Sequence, residues 1–347
     1  MDDVVTAIGT PNIALIKYWG KRDNKLILPT NSSVSLTLSE GLNTKTSVLF
    51  SKKLKSDQFY INGESQNIED KEIAERFDIV NKLRSLAHTN SHVLVVSKNS
   101  FPTSSGFASS ASGIATLTFA ASKALGLEIS QREMSIIARM GSGSSCRSIF
   151  GGIVEWKKGE KKDGSDSYAE QIVDERYWPE LNNIVAIVTD AKKKVSSRSG
   201  MRQTVENGIL YKARMDYIDG AVKELIDAVR KRDFSALATI TMRDSNNMHA
   251  TMLDTWPPIM YMNDYSKEII YKIQELNESE GKIIAAYTFD AGANPHIITT
   301  EKYASEVLNI MKSMDFVKKT MRLKAGRGPR LLAEKDSLID DKLKPVR

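Results

Sequence analysis

The sequence predicts an α+β protein of two fused halves. Three observations carry this: the opening is β-rich, short apolar runs later alternate with helix-spaced segments, and no internal repeat or low-complexity linker separates independent modules. At 347 residues the chain is roughly two to three times the commonest domain size, which suits one large or two closely packed domains. Apolar residues make up 41% and charged residues 27%, ordinary for a globular chain. No run approaches the ~20 apolar residues that a bilayer crossing requires.

Residues 4–21 carry apolar side chains at strand spacing, broken by Gly9 and Pro11, and 33–38 alternate as a second strand. Residues 46–62 read as a hairpin or meander, with Asn62-Gly63 as turn signal. Three- and four-residue apolar spacing predicts an amphipathic helix over 69–87, followed by a short buried strand at 93–97. After the loop "FPTSSGFASSASG" (101–113), the Pro-free, small-residue segment 108–124 is a helix able to pack closely. A further helix at 130–140 leads into "GSGSSCRS" (141–148). Strands follow at 151–156 and 182–189, then helices at 200–231 and 233–247. A strand at 283–289 enters "DAGANPH", another spans 296–299, a helix covers 303–313, and a strand near 317–323 closes the fold. The halves divide at 185/186, as 1–185 and 186–334, leaving 335–347 as a charged tail expected to fray.

The net charge of +6 comes from scattered groups such as Lys52-Lys53-Lys55, Lys157-Lys158 and Lys192-Lys193-Lys194, the pattern of solvated faces. A nucleic-acid binder concentrates such charge along a groove with aromatics, so no nucleic-acid partner is expected, while a mild positive excess suits a polyphosphate ligand. The N-terminus shows no basic-then-apolar leader, and the single Cys146 excludes an internal disulfide. Both point to a reducing, cytoplasmic setting and away from membranes.

Strand, Gly/Ser-rich turn and helix is the order in which backbone N–H groups and a helix N-terminus converge on an anion. In the 101–113 loop Gly106 permits close backbone approach, and Ser109 and Ser110 either cap the helix or turn toward a phosphate oxygen or its Mg²⁺. The loop matches neither G-x-x-x-x-G-K-[ST] nor G-x-G-x-x-G, and alone a Ser-rich N-cap explains it equally well. Two more clusters favour the ligand. "GSGSSCRSIFGG" (141–152) offers Ser142, Gly143 and Ser144 with Arg147, whose planar fork matches carboxylate or phosphate, and "VSSRSGM" (195–201) repeats the recipe with Ser197 and Arg198. Lys17, Tyr18 and Lys21 end the apolar run of "NIALIKYWGK"; Lys17 is either a snorkelling surface lysine or one with a partner at the core's edge. Asp290 ends a strand, as a turn residue or as a carboxylate aimed into a cleft. Beside a lysine it would stay ionised.

In this order these fragments, with "LPTNSSVSLTL" and "MHATMLDTWPP", span nearly the whole chain and resemble the diphosphomevalonate decarboxylase family, relatives of galactokinase, homoserine kinase, mevalonate kinase and phosphomevalonate kinase. The resemblance implies an N-terminal half like ribosomal protein S5 domain 2, a ferredoxin-like C-terminal half, a cleft between them, and a homodimer. It implies a carboxy-lyase of isoprenoid biosynthesis that phosphorylates the 3-hydroxyl of 5-diphosphomevalonate with ATP and Mg²⁺, then expels phosphate and CO₂ to give isopentenyl diphosphate. Asp290 would meet the 3-hydroxyl, Lys17 would hold Asp290 and the developing charge, and Arg147 would grip the carboxylate. Tyr18, Lys21, Ser142, Gly143, Ser144, Ser197 and Arg198 would hold the diphosphate. Ser97, Asn99, Gly106, Ser109 and Ser110 would hold the nucleotide, with Ser110 also toward Mg²⁺.

Two departures bear on the ATP step: Ser104-Ser105-Gly106-Phe107 stands where the family usually has Ala-Ala-Gly-Leu, and Gly292-Ala293-Asn294 where it has Gly-Pro-Asn. An ATP-independent mevalonate 3,5-bisphosphate decarboxylase, or an ATP-dependent 5-phosphomevalonate decarboxylase, would use the same Asp290, Lys17 and Arg147. A non-catalytic isoprenoid-phosphate sensor has no need of both Lys17 and Asp290, and a plain alcohol kinase has no need of Arg147. His88, His92, His249 and His296 lack zinc-ligand spacing; His249 is expected to hydrogen-bond across the cleft wall, and Cys146 to be an inert buried thiol.

Overall fold

A computed structural model describes residues 3–100, 109–189, 191 and 193–346, with backbone alone at 71, 72 and 109. The first half runs β1 (Val5–Gly9), β2 (Asn12–Ile16), β3 (Lys21–Asp23), β4 (Leu28–Pro29), β5 (Ser33–Thr37), β6 (Thr44–Ser51), β7 (Gln58–Ile61), β8 (Glu64–Ser65), α1 (Lys71–Leu86), β9 (His92–Asn99), α2 (Ser109–Ala124), α3 (Gln131–Gly141), a 3₁₀ helix (Gly143–Ile149), β10 (Ile153–Trp156) and β11 (Ala169–Val173). The second half runs β12 (Leu181–Ile187), α4 (Ser197–Asn207), α5 (Leu210–Lys231), α6 (Phe234–Asp254), α7 (Asp264–Ser279), β13 (Ala285–Phe289), β14 (Pro295–Thr300), α8 (Glu301–Ser313) and β15 (Lys319–Lys324), before β16 (Arg330–Leu331) and a 3₁₀ turn at Glu334–Asp336. No helix among the described residues is long and apolar enough to cross a membrane.

Three larger sheets result, ordered β16-β1-β6-β9-β7-β8, β11-β10-β5-β2 and β13-β14-β12-β15. All their pairings are antiparallel except β7 with β9. The first sheet buries Val48, Phe50, Val93 and Val95 against Val80 and Leu83 of α1, Ile114 and Leu117 of α2, and Ile137 of α3. α3 starts where its residues dictate: the Ser130 hydroxyl accepts from the Glu133 N–H, and the Glu133 carboxylate accepts from the Ser130 N–H. β12 is buried on both faces, so it reads as a continuous apolar run and not as an alternation. Leu181, Val185 and Ile187 face α5 and α6, whereas Ile184 and Ala186 face α7 and α8. On their other side α5 and α6 meet Ile13, Leu15, Val34 and Leu36 of β2 and β5. One core therefore crosses the junction between the halves.

Several sequence expectations need correction. The helix drawn over 200–231 is two, because at Gly208 the chain turns away and a Cβ would lie 2.7 Å from the Thr204 carbonyl oxygen. α6 continues to Asp254, and α7 and β11 were not anticipated. A boundary at 185 cuts through β12, which belongs wholly to the C-terminal sheet. The chain also returns to the first half before 334: β16 pairs with β1, and the Gly326 N–H donates to the Thr37 carbonyl. The tail is anchored, not frayed. Ile339 is buried among Leu49, Leu54, Leu94 and Val96, and the Leu338 N–H donates to Ser47 Oγ at 2.8 Å.

Candidate active site

The apolar run of β2 is buried over all five residues, and a bulge against β5 between Ala14 and Ile16 bends its end. Lys17 follows, 1% exposed, and its Nζ donates to Asp290 Oδ1 at 2.7 Å. Asp290 lies just past β13, and its side chain keeps 32% exposure, so one edge of the carboxylate is open to the cleft. Burial pushes the Asp290 carboxyl up, but the Lys17 ammonium, with His296 and Lys193 beyond, outweighs it and leaves the group below the usual carboxylate range. Burial lowers the Lys17 ammonium; Asp290 and Asp244 oppose that shift, and Arg147 adds to it.

Arg147 projects from the 3₁₀ helix, 2% exposed. Its hydrogen-bond acceptors, Asn12 Oδ1 at 3.2 Å and Ser33 Oγ, are neutral, and its guanidinium lies 6.0 Å from the Trp156 ring. Asp290 is close enough to raise its pKa, yet burial dominates and lowers it. A buried guanidinium bonded only to neutral oxygens has capacity left for an anion. Tyr18 packs edge-on against Trp156, ring centroids 4.7 Å apart, and its buried hydroxyl has no hydrogen-bond partner among the described residues. Burial raises that phenol's pKa, so it remains a donor. Gly143 makes room for this ring, since a Cβ would lie 2.7 Å from Tyr18 Cε1 and 2.9 Å from the Trp156 indole.

The remaining residues of the expected diphosphate group lie on three converging elements. Arg198, in the first turn of α4, bonds the Gly141 carbonyl at 2.9 Å and pairs with Glu75 of α1. Lys21 on β3 feels Arg198, Arg202 and Glu75, and burial first, then the arginines, brings its ammonium down to about 8. Ser142 Oγ donates to Ser110 Oγ at 3.3 Å, joining the end of α3 to the start of α2. The Ser144 carbonyl accepts from Asn12 Nδ2 at 3.0 Å, and Ser197 receives Lys193 Nζ at 3.5 Å. Of the expected nucleotide residues, Asn99 Oδ1 accepts from Thr44 at 2.7 Å. Ser97 is buried with its hydroxyl paired to Thr46 across β6 and β9, so it serves the sheet before any ligand. Gly106 and the side chain of Ser109 lie outside the described residues.

Sequence reasoning passed over several groups found here. Lys193, counted among solvated lysines and exposed as expected, also stands 5.9 Å over the Tyr261 ring; crowding by protein lowers its ammonium while Asp290 holds it up. Its position two residues before "VSSRSGM" was the available signal. Asp244 and Arg214, both fully buried, meet behind Lys17 from separate helices, and nothing in their local sequence announces it. His249 stacks edge-on against Phe289 and hydrogen-bonds the backbone of Phe289 and Asp290 across the cleft wall, as expected, while its buried Nε2 has no partner among the described residues. Burial, with Lys17 nearby, takes its pKa down to about 4. Cys146 is buried, its thiol pushed up to about 12 by that burial and donating to the Gly143 carbonyl.

Known proteins match this arrangement over most of its length. Residues 9–169 match the family model for the diphosphomevalonate decarboxylase-like N-terminal domain, and 183–341 that for the mevalonate 5-diphosphate decarboxylase C-terminal domain. Diphosphomevalonate decarboxylase of Ganoderma lucidum is 45% identical over 322 residues, 88% of this chain and 80% of the relative. That of Saccharomyces cerevisiae is 45% identical over 294 residues, 82% of this chain and 74% of the relative. The solved mevalonate diphosphate decarboxylase of Trypanosoma brucei superposes with a TM-score of 0.89 at 34% identity, covering 97% of this chain and all of that one. Two family models in register across both halves, with relatives this similar over most of their length, show that the chain belongs to the diphosphomevalonate decarboxylase family.

Proposed function

We propose that the cleft carries out the ATP-dependent decarboxylation of 5-diphosphomevalonate to isopentenyl diphosphate. The observation that carries this reading is the deeply buried Arg147, bonded only to neutral oxygens, close to a Lys17–Asp290 pair with one open carboxylate edge. Such a site suits a substrate with a carboxylate and a tertiary alcohol on the same carbon skeleton. Support for ATP use over the bisphosphate or monophosphate alternatives comes from a solved relative in complex with MVAPP, AMPPCP and magnesium, 36% identical with a TM-score of 0.84. The Enterococcus faecalis enzyme, 35% identical with a TM-score of 0.84, is described for mevalonate diphosphate mediated ATP binding.

MgATP would supply the phosphoryl group that turns the 3-hydroxyl into a leaving group. Asp290, kept ionised, orients that hydroxyl or accepts its proton, and Lys17 stays beside the developing charge on its oxygen. Arg147 holds the carboxylate, and its grip weakens as charge drains toward the forming alkene. The Tyr18 hydroxyl, Lys21, Arg198, Ser197 and the 142–144 turn enclose the diphosphate. Ser110, with Ser109 and Gly106 before it and Ser97 and Asn99 on the adjoining strand, would face the nucleotide, the Ser110 hydroxyl serving Mg²⁺. Phosphoryl transfer asks mainly for positioning and charge neutralisation, which this set of hydroxyls and cations provides.

The protein is read as cytoplasmic and homodimeric. The apolar patch of Ile209, Leu210, Leu253, Trp256 and Met260, with Trp256 77% exposed, supports a second copy as its cover. Light scattering of wild type and Trp256→Glu checks this: a monomeric wild type removes the dimer. The function is tested by incubating the protein with 5-diphosphomevalonate, 5-phosphomevalonate and mevalonate 3,5-bisphosphate, each with and without MgATP. CO₂, ADP and phosphate should appear together from the diphosphate with MgATP. CO₂ from the bisphosphate without nucleotide would replace this reading.

A further inference from the structure

Both backbone groups of Lys17 are held by side chains. Its N–H donates to Asp244 Oδ2 at 2.6 Å, and its carbonyl accepts from Arg214 at 3.2 Å and from Asn31 at 3.0 Å. Asp244 on α6 and Arg214 on α5 are themselves joined at 2.9 Å, and Arg214 also reaches Asn247 Oδ1 at 2.6 Å. Both members of the pair are completely buried. A buried ion pair of this kind is poor evidence for stability, since well-packed apolar side chains often serve as well. Its geometry offers a different reason for its presence. One oxygen of Asp244 faces Arg214 and the other faces Lys17, so two helices of the second half grip one residue at the bent end of a first-half strand. Four flexible methylenes separate the Lys17 backbone from its ammonium, and fixing the backbone narrows where that ammonium can go.

We infer that the Arg214–Asp244 pair is a positioning device for Lys17, clamping its N–H and C=O so that the ammonium meets Asp290 and the reacting oxygen of the substrate. This rests on the reading of Lys17 and Asp290 as the reacting pair. The clamp also has an electrostatic side. Around Lys17 stand Asp290 after β13, Asp244 and His249 on α6, Arg214 on α5, Arg147 on the 3₁₀ helix and His296 on β14. Only Asp290 and Asp244 are carboxylates in that set. Taking the charge from Asp244 leaves Asp290 alone against burial and Arg147, so Lys17 should lose its proton at lower pH.

The test uses the full-length enzyme with saturating 5-diphosphomevalonate and MgATP, comparing wild type, Asp244→Asn, Lys17→Met and the double variant. Asp244→Asn should lower kcat about tenfold to a hundredfold, the range typical of lost orienting partners, with KM little changed. The alkaline limb of its kcat–pH profile should move to lower pH. In the Lys17→Met background the same substitution should cost little more, because the two act through one group. A merely structural pair would leave the limb in place and multiply the two losses, and that result overturns the inference. Wild-type kcat and limb in Asp244→Asn, beside an inactive Lys17→Met, would overturn the clamp alone. Wild-type turnover in Lys17→Met would instead remove the reading of the site. Should Asp244→Asn fail to fold, Arg214→Lys, which keeps the charge and loses the fork, carries the same kcat, KM and double-variant comparison.

Discussion

Lys17 and Asp290 face each other at 2.7 Å, one fully buried and the other open along one edge, so the carboxylate is ionised and directed before substrate arrives. Asp290→Asn keeps the shape and removes the charge. We predict a fall in kcat of about 10²–10⁴ with KM nearly unchanged, the range for a lost acid–base group, measured by steady-state CO₂ release. Arg147→Lys keeps the charge and removes the fork, and should cost about 1.5–3 kcal/mol in kcat/KM; near-normal kinetics would take Arg147 off the carboxylate. Lys21 gives a pH signature. With its free-enzyme pKa at about 8, the cation proposed to meet the diphosphate is present below that pH and lost above it, so kcat/KM should decline above pH 8. Lys21→Gln should flatten that limb, and an unchanged limb would assign it elsewhere. At this scale the pairing of Lys17 with Asp290 was legible because each follows an apolar strand. Asp244 and Arg214 were not, since their meaning depends on helices meeting across tens of residues of chain.

Each group proposed to be catalytic is aimed by the way its element ends. β2 stops at a bulge, β13 stops at Asp290, and α3 gives way at Ser142 to a tighter helix that turns Arg147 inward. Gly143 at that change has no room for a Cβ. Gly143→Ala would push into Tyr18 and Trp156, costing roughly 1–3 kcal/mol of stability by overpacking and moving the phenol from the place proposed for the diphosphate. A raised KM with a lowered thermal midpoint is expected; an unchanged KM would take Tyr18 away from the ligand. The elements that sequence reasoning missed have physical reasons. α7 carries Ile269, Ile273 and Leu276 at helical spacing behind an Asn263 cap, a readable pattern in a stretch left unassigned. β11 alternates poorly because it is an edge strand with an exposed face. Gly208 divides what looked like one helix; Asn207-Gly208 is a turn signal that the helical spacing on both sides overrode in the sequence reading.

The core formed by β2, β5, α5, α6 and β12 belongs to neither half alone, which explains why the sequence suggested two fused halves without offering a linker between them. A shared core of this kind should unfold as one unit, and the acid side of stability is where that coupling can be read. His249 on α6 and His296 on β14 are both pushed down to about 4 by burial, from an ordinary value of 6.5. Between those pH values the unfolded chain binds protons that the folded protein refuses. Their contribution is therefore whole above about pH 6.5 and is lost as pH falls toward 4, roughly 3 kcal/mol for each group. Urea unfolding followed by tryptophan fluorescence and by far-ultraviolet circular dichroism should give a single coincident midpoint at pH 7, moving to lower urea together at pH 5. His249→Gln should shrink that movement, because its side chain has no proton to gain. Two separated midpoints, with only one sensitive to pH, would mean that the halves melt independently and that the core between them does not bind them into one unit.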